Sequence, residues 1–551
     1  MRVMKRIGAG CAAVALAGVL QAVPYLSVQA ATATVTTNAN SGVGSLRAAI
    51  AAAASGDTIT FAPALSGQTI TLTSVITINN NVTVDATGLV VTISGGTTTQ
   101  VFSVPAGKTV SLKHLTIKNG SATLGGALLN QGTVTISGST FTGNHAASGG
   151  GAIDNAAALT ITDSTFSANT NAANDGGAIL NATGGNLTLR RTVFADNVNS
   201  GRHSGAVENE GTSMVVDHSS FIHNTTALDG GAISDDGDGM VVTNSTFSGN
   251  IAQNNGGALW NGDKDKISSS TFAGNHAAKN GGAFEHAPLQ IADSIIAGNT
   301  ITASNTPSNC SDPVAPTADK GFNLQFGDAT CALVAATDVT GDPKLGTAQD
   351  NGAGLPTQAL GSGSAAIDKG TCTDPNAASA VITTDERGVP RPQGPKCDIG
   401  AFESDTVPPA VSTAFPAPSG ANGTYTGTVS GTVTAADSGL VERLTCTGAT
   451  LTNVTGLGTA SASGTLTVSG SGTHNIVCTA TDLSGNQGTH AATITIAVPA
   501  ASPTPALPKA GAAGPTRSGG PAVAVALIAL IAVLALPGVR LFYRRKTVLD
   551  S

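Results

Sequence analysis

Six carboxylates in this chain fall at spacings that could place them together. Glu208, Asp235, Asp236, Asp238, Asp263 and Asp265 lie within 58 residues, with Trp260 and Lys264 among them. Clustered carboxylates can hold a hard cation such as Ca²⁺. A pair of them can also cleave a glycosidic bond, one as acid and one as base or nucleophile. The competing reading is a solvated acidic turn whose like charges are screened by water and salt. "SDDGDG", Ser234 to Gly239, lacks the regular ligand spacing of a Ca²⁺ loop, and no Arg is evident beside it. Which reading holds depends on the elements that carry these residues.

Those elements are repeats. The second glycine of a diglycine recurs at Gly126, Gly151, Gly177, Gly205, Gly231, Gly257 and Gly282, in steps of 25, 26, 28, 26, 26 and 25 residues. At Gly205 the preceding residue is Ser204. A second column runs Phe141, Phe166, Phe194, Phe221, Phe247, Phe272 and Ile296. Asn follows each of these three residues later, from Asn144 to Asn299. Columns that keep step over seven units define a solenoid. Segments such as "LTITDS" and "MVVTNS" alternate apolar and polar residues, which predicts short strands. About three strands per unit, stacked in parallel, give a β-helix with coils about 4.8 Å apart. The phenylalanines form an interior stack, and the asparagines bond along the axis at a corner.

In that register a third column reads Asn130, Asn155, Asn181, Asn209, Asp235, Asn261 and His286. Asp235 and His286 are its exceptions, and Glu208 lies one coil below Asp235 with Asp263 and Asp265 one coil above. The slot beside this column holds Leu129, Asp154, Leu180, Glu208, Ser234 and Trp260, a variety that marks no single member as catalytic. Asp235, Asp236 and Glu208 are the catalytic candidates, and Asp235, Asp236, Asp238, Asp263 and Asp265 the metal candidates. His145 and His276, next to the corner asparagines, read as exposed turn residues.

The rest of the chain supplies context. It has 551 residues, of which 11% are charged and 3% aromatic, with a formal net charge of -8. The absence of a basic face argues against nucleic acid as a partner. Residues 1–30 carry Arg2, Lys5 and Arg6 before an apolar run and read as a signal peptide. Six cysteines remain after it: Cys310, Cys331, Cys372, Cys397, Cys446 and Cys478. An even number in an exported chain implies disulfides, simplest between sequence neighbours. "GSLRAAIAAAASG" predicts one helix from a Ser45 cap to Gly56, covering the open end of the first coil. After Ser404, a linker leads to short strands over 405–498, with Cys446 and Cys478 tying two of them. Residues 499–520 form a Pro/Ala linker. An uncharged run from Pro521 to Val539 is followed by Arg540, Arg544, Arg545 and Lys546, which predicts a transmembrane helix over 521–543 with the tail 544–551 in the cytoplasm.

These motifs carry family resemblances. The GGAI-type turn followed by Phe-x-x-Asn resembles the polymorphic outer-membrane protein repeat. "GSLRAAI" resembles a CSLREA-type entry segment, with Gly44 where that segment has Cys. "GDPKLGTAQDNGAGLPTQALGSGSAAIDKG" and "DERGVPRPQGPKCDIGAFES" resemble the choice-of-anchor Q domain, over 300–404. The resemblance implies a secreted, right-handed parallel β-helix over 31–404 and supplies no catalytic residue. "RLTCTGA" and the Thr481 to Asn486 turn resemble bacterial Ig-like modules, which implies a small β-sandwich spacer. "LPKAG" (Leu507, Pro508, Lys509, Ala510, Gly511) resembles a sortase signal, with Ala510 where Thr is usual.

The expectation is an all-β, exported protein, anchored at the cell surface through its membrane helix or by a sortase. Its role is adhesion or surface structure, with surface glycans or proteins as partners, no required cofactor and no enzymatic activity. The alternative is a polysaccharide lyase or hydrolase with its site near Asp235. Several parallel β-helices have such activity, but here Trp260 is the only Trp and the phenylalanines are committed to the core.

Overall fold

The computed structural model describes residues 31–260, 262, 264–286, 290–301, 306–374 and 380–497. The expected signal peptide, the LPKAG motif, the apolar span and its tail, and Asn261 and Asp263 lie outside the described residues. Among the described residues, no helix is long and apolar enough to cross a membrane.

The chain winds into a parallel β-solenoid. A representative coil runs through strands Ile153–Asn155, Ala158–Thr162, Thr165–Ser167 and Thr170–Asn171. Each strand pairs in parallel with its counterpart one coil on, so four sheets line the coils rather than three. The fourth strand is two residues long, too short to show a period in sequence. Below, the sheet of Ile153–Asn155 is the cleft sheet, and that of Thr165–Ser167 the phenylalanine sheet. At the start of the solenoid, Ser45 caps the helix Leu46–Ala52 by accepting from the Ala48 N–H. This helix buries Leu46 and Ile50 against the first coil and ends earlier than Gly56, at an extended Ala53.

The repeated residues have distinct structural duties. Phe141, Phe166, Phe194, Phe221, Phe247 and Phe272 stack with ring centroids 4.6–5.0 Å apart. At the corner, Asn169 Nδ2 donates up to Asn197 Oδ1 and down to the Phe141 carbonyl, both at 3.0 Å. The same Oδ1 accepts the Asn169 backbone N–H. A polar column can therefore be buried without orphaned groups. A serine ladder does similar work at the opposite corner: the N–H of Ser219 donates to Ser245 Oγ and that of Ser245 to Ser270 Oγ. Single left-handed residues turn the chain beside these ladders, among them Asp163, His218 and Asp293.

The two diglycine positions are not equivalent. The first takes a positive φ at Gly125, Gly176, Gly230, Gly256 and Gly281, +71° at Gly230, and Ser204 adopts it too at +64°. The second lies against the next coil: a Cβ on Gly231 would sit 1.9 Å from the Gly257 carbonyl oxygen. That contact is why Gly205 keeps its glycine although its neighbour became Ser204.

Beyond the last coils the chain folds back over the phenylalanine sheet. Its outward-facing Ser220, Thr246 and Thr271 are buried under the segment Asp385 to Glu403. Ile295 and Ala297 join Leu324, Leu360, Ala366, Ile399 and Phe402 in a second apolar core. The motif around "DERG" and "CDIGAFE" forms the ionic frame of this return. Arg387 binds Asp385 through two nitrogens at 2.8 and 2.9 Å and lies 3.6 Å over the Phe402 ring. Arg391 pairs with Glu403 at 3.2 Å, both side chains fully buried.

The final module contains strands Ala410–Ala414, Val429–Thr447, Thr450–Thr455, Thr459–Val468, Gly472–Asp482 and Gln487–Ile496. These strands form one hydrogen-bonded antiparallel network, and side chains from both of its halves meet in one apolar core. The 19-residue strand serves both halves, pairing first with Thr459–Val468 and, after a register shift, with Gly472–Asp482. The disulfides join sequence neighbours: Cys310–Cys331, Cys372–Cys397 and Cys446–Cys478. The last links register partners on adjacent strands.

Candidate functional site

On the cleft sheet, the residue between two inward-facing ones points away from the core. The register stacks Leu129, Asp154, Leu180, Glu208, Ser234, Trp260 and Glu285 in that slot. Loops entering the sheet bring Asp175, Arg202, His203 and Asp229 alongside; the residues leaving it add Glu210, Asp236, Lys264 and His286. The result is an acidic face with a cleft of about 300 Å³, lined by Asp235, Asp236, Gly237, Trp260, Gly262, Lys264 and His286.

Trp260 is half-buried in this cleft between two imidazoles. Its ring centroid lies 6.4 Å from that of His203 and 5.6 Å from that of His286, the latter edge-on. His203 is held by an ion pair to Asp229 at 3.3 Å, and that interaction raises its pKa. Burial opposes ionisation of Asp229, yet bonds from His203, the Asn255 N–H and Asn254 leave its pKa below the usual carboxylate value. Arg202 faces Asp175 at 3.7 Å, so the acidic face does contain an arginine. Sequence reading missed both Arg202 and His203 because they sit in a loop between the aligned columns.

The carboxylates divide by depth. Glu210 and Asp236 are exposed at the rim. Partial burial raises both pKa values, and Asp175 reinforces this against Arg202. Asp154 is pushed up to about 6 by burial and by Glu210. Glu208 is only 1% exposed, and its oxygens accept from Ser204 Oγ at 2.6 Å and Ser234 Oγ at 3.3 Å. Burial holds its pKa well above the usual value, only partly offset by the Ser204 hydrogen bond.

Asp235 occupies the asparagine ladder of the cleft sheet. Asn130, Asn155 and Asn181 each donate to the next Oδ1 at 2.6–2.7 Å, and Asn209 donates to Asp235 Oδ1. A carboxylate ends this relay because it has no N–H to pass upward. Asp265 lies next to it, fully buried, accepting the N–H groups of Met240 at 2.8 Å and Gly262 at 3.1 Å. Burial, then the neighbouring Asp235, raises the Asp265 pKa well above the usual range, and Asp235 Oδ2 is buried there with no hydrogen-bond partner.

The six carboxylates expected on one face are therefore separated. Asp235, Asp265 and Glu208 are internal, Asp236 is at the rim, and Asp238 points outward to Lys264 at 3.1 Å. Asp263 lies outside the described residues. Glu208 is held by serine hydroxyls and Asp235 Oδ1 by the asparagine ladder, while Asp235 Oδ2 has no hydrogen-bond partner. Trp260 offers a flat apolar platform, and Glu210, Asp236, His203 and His286 surround it with acceptors and donors. His145, exposed as expected, bonds Thr170, and half-buried His276 bonds Thr300.

In sequence comparison, a family model described as the Chlamydia polymorphic membrane protein repeat matches residues 138–156 and 244–262. Both matched stretches run from the serine corner through the asparagine corner to a cleft-sheet strand. No curated protein matches the chain.

Proposed function

We propose that this chain is a cell-surface adhesin whose acidic cleft holds a carbohydrate. The observation that carries this reading is Trp260, the sole tryptophan, half-buried in a 300 Å³ cleft between His203 and His286. An aromatic face stacks on the apolar side of a sugar ring, while rim carboxylates and imidazoles take its hydroxyls. Contacts of this kind are individually weak, and many copies on one surface add by avidity. The repeat match supports a surface location. In this reading the fold-back segment is a choice-of-anchor Q-type element, the antiparallel module is an Ig-like spacer, and the C-terminal segment fixes the chain to membrane or wall.

The enclosure of Glu208 weighs against the hydrolase or lyase alternative. A general acid must reach the glycosidic oxygen, and both Glu208 oxygens face Ser204 and Ser234 inside the wall.

The test uses the protein's own fluorophore. Glycan-array binding by the protein should identify a ligand, and that ligand should shift Trp260 emission in titration. Trp260→Ala and Asp236→Ala should each abolish array binding while leaving circular dichroism unchanged. Array binding that survives Trp260→Ala, or no array binding by the wild type, defeats the proposal.

A further inference from the structure

Three aspartates from three separate segments meet beside the antiparallel module. Asp405 follows the fold-back motif, Asp437 sits just before the register shift in Val429–Thr447, and Asp482 ends Gly472–Asp482. One oxygen from each lies within 4.8 Å of the other two. All three residues are buried, with exposures of 4%, 8% and 0% in that order.

Backbone amides fix the cluster from outside. The Val407 N–H donates to Asp405 Oδ1 at 2.8 Å, the Gly439 N–H to Asp437 Oδ1 at 2.6 Å, and the Ser484 and Asn486 N–H groups to Asp482 Oδ1. Asp405 Oδ2 is buried with no hydrogen-bond partner. A Cβ on Gly439 would come 1.9 Å from that oxygen and 3.2 Å from Asp437 Oδ1. The glycine therefore keeps the space between the carboxylates clear. An unpaired carboxylate oxygen buried against two others is costly unless a cation balances it.

We propose that Asp405, Asp437 and Asp482 bind a Ca²⁺ ion that ties the antiparallel module to the fold-back end of the solenoid. The donor set is oxygen only, which selects a hard cation. Ca²⁺ accepts irregular carboxylate geometry more readily than Mg²⁺, which demands an octahedron and keeps its waters. The ion would join what is already linked by neutral contacts: Asn486 Nδ2 donates to the Asp405 carbonyl at 2.9 Å, and Ser438 Oγ to Gln393 Oε1 at 2.7 Å. This site is independent of the carbohydrate cleft.

The full chain, stripped with EGTA, is titrated with CaCl₂ by calorimetry and by thermal melting. One equivalent should bind, with a Kd on the order of 10⁻⁴–10⁻³ M or tighter, and should raise the Tm. Asp437→Asn and Asp405→Asn should each weaken that equivalent by more than about tenfold and remove the Tm rise. Asp236→Asn, in the cleft, should keep both. In EGTA the Asp437→Asn protein should melt no lower than wild type, because one of three repelling charges is gone; this also shows that it folds. A wild type with no calcium-dependent heat or Tm rise overturns the proposal. So does an Asp437→Asn protein that keeps them, or a chain that responds to MgCl₂ as strongly as to CaCl₂.

Discussion

Glu386 accepts a 2.6 Å hydrogen bond from the Ser220 hydroxyl across 166 residues of chain. It also accepts from Thr246 Oγ1, one coil further on. One side chain thus fastens the returning segment to two successive turns of the solenoid. Burial raises its pKa well above the usual value, and the two hydroxyl bonds only partly offset this.

Glu386→Ala leaves two buried hydroxyls without their acceptor, at about 1–3 kcal/mol each. The loss should fall on the returning segment rather than on the coils. Hydrogen exchange should show residues 385–403 losing protection while the phenylalanine sheet before Ser220 keeps it.

Phe221 is packed between Phe194 and Phe247 in the ring stack. Phe221→Ala should cost about 3–5 kcal/mol, and Phe221→Leu considerably less. Because each coil contacts mainly its neighbours, denaturant melts of the alanine protein should lose single-step cooperativity.

Arg387→Lys should behave as a disruptive change although charge is kept. Lysine cannot reproduce the two-nitrogen contact to Asp385, the stacking on Phe402 and the 2.6 Å bond to the Glu403 carbonyl together. A loss of about 3–5 kcal/mol in urea unfolding is expected, as for a broken buried pair.

Several buried acids make the protein more stable in mild acid than in base. Burial pushes Asp293 and Asp398 up to about 7 and Asp154 up to about 6, and holds Glu208 higher than usual. Each folded-state value lies above the unfolded one, so the folded chain binds more protons. This contribution is complete below about pH 4. It is lost progressively as pH rises from about 4 through the folded values of about 6 and 7. Tm should therefore fall from pH 5 to pH 8. Glu208→Gln should flatten part of that slope, gaining on the order of 1–3 kcal/mol at pH 8 and little at pH 4.5. An unchanged slope in the variant would remove Glu208 from the set.

Periodicity made the coils legible. Phe221 and Asn224 recur in step with their neighbours, and the slot from Leu129 to Trp260 is the register the structure shows. Two features escaped: the fourth strand, which at two residues is too short to show alternation, and the serine ladder, whose small polar members stand out little in a chain rich in Ser and Thr. The site was legible only through its exceptions. Asp235 marked the right place, but its burial follows from its role in a ladder of amides, which the residue type alone does not reveal. Glu386 with Ser220, and Asp405 with Asp437 and Asp482, join distant segments by single contacts, and no local pattern encodes such pairs.

The uniform step between coils has an evolutionary consequence. Whole coils can be duplicated or deleted in a stack where every phenylalanine meets a phenylalanine and every corner asparagine an asparagine. Trp260 and the residues clasped by Glu386 share the later coils, so their spacing tolerates no such edit. The turns from His114 to Thr170 carry neither. The solenoid is thus graduated at about 4.8 Å per coil, with the fixed spacing in its later coils and the repeatable coils before them.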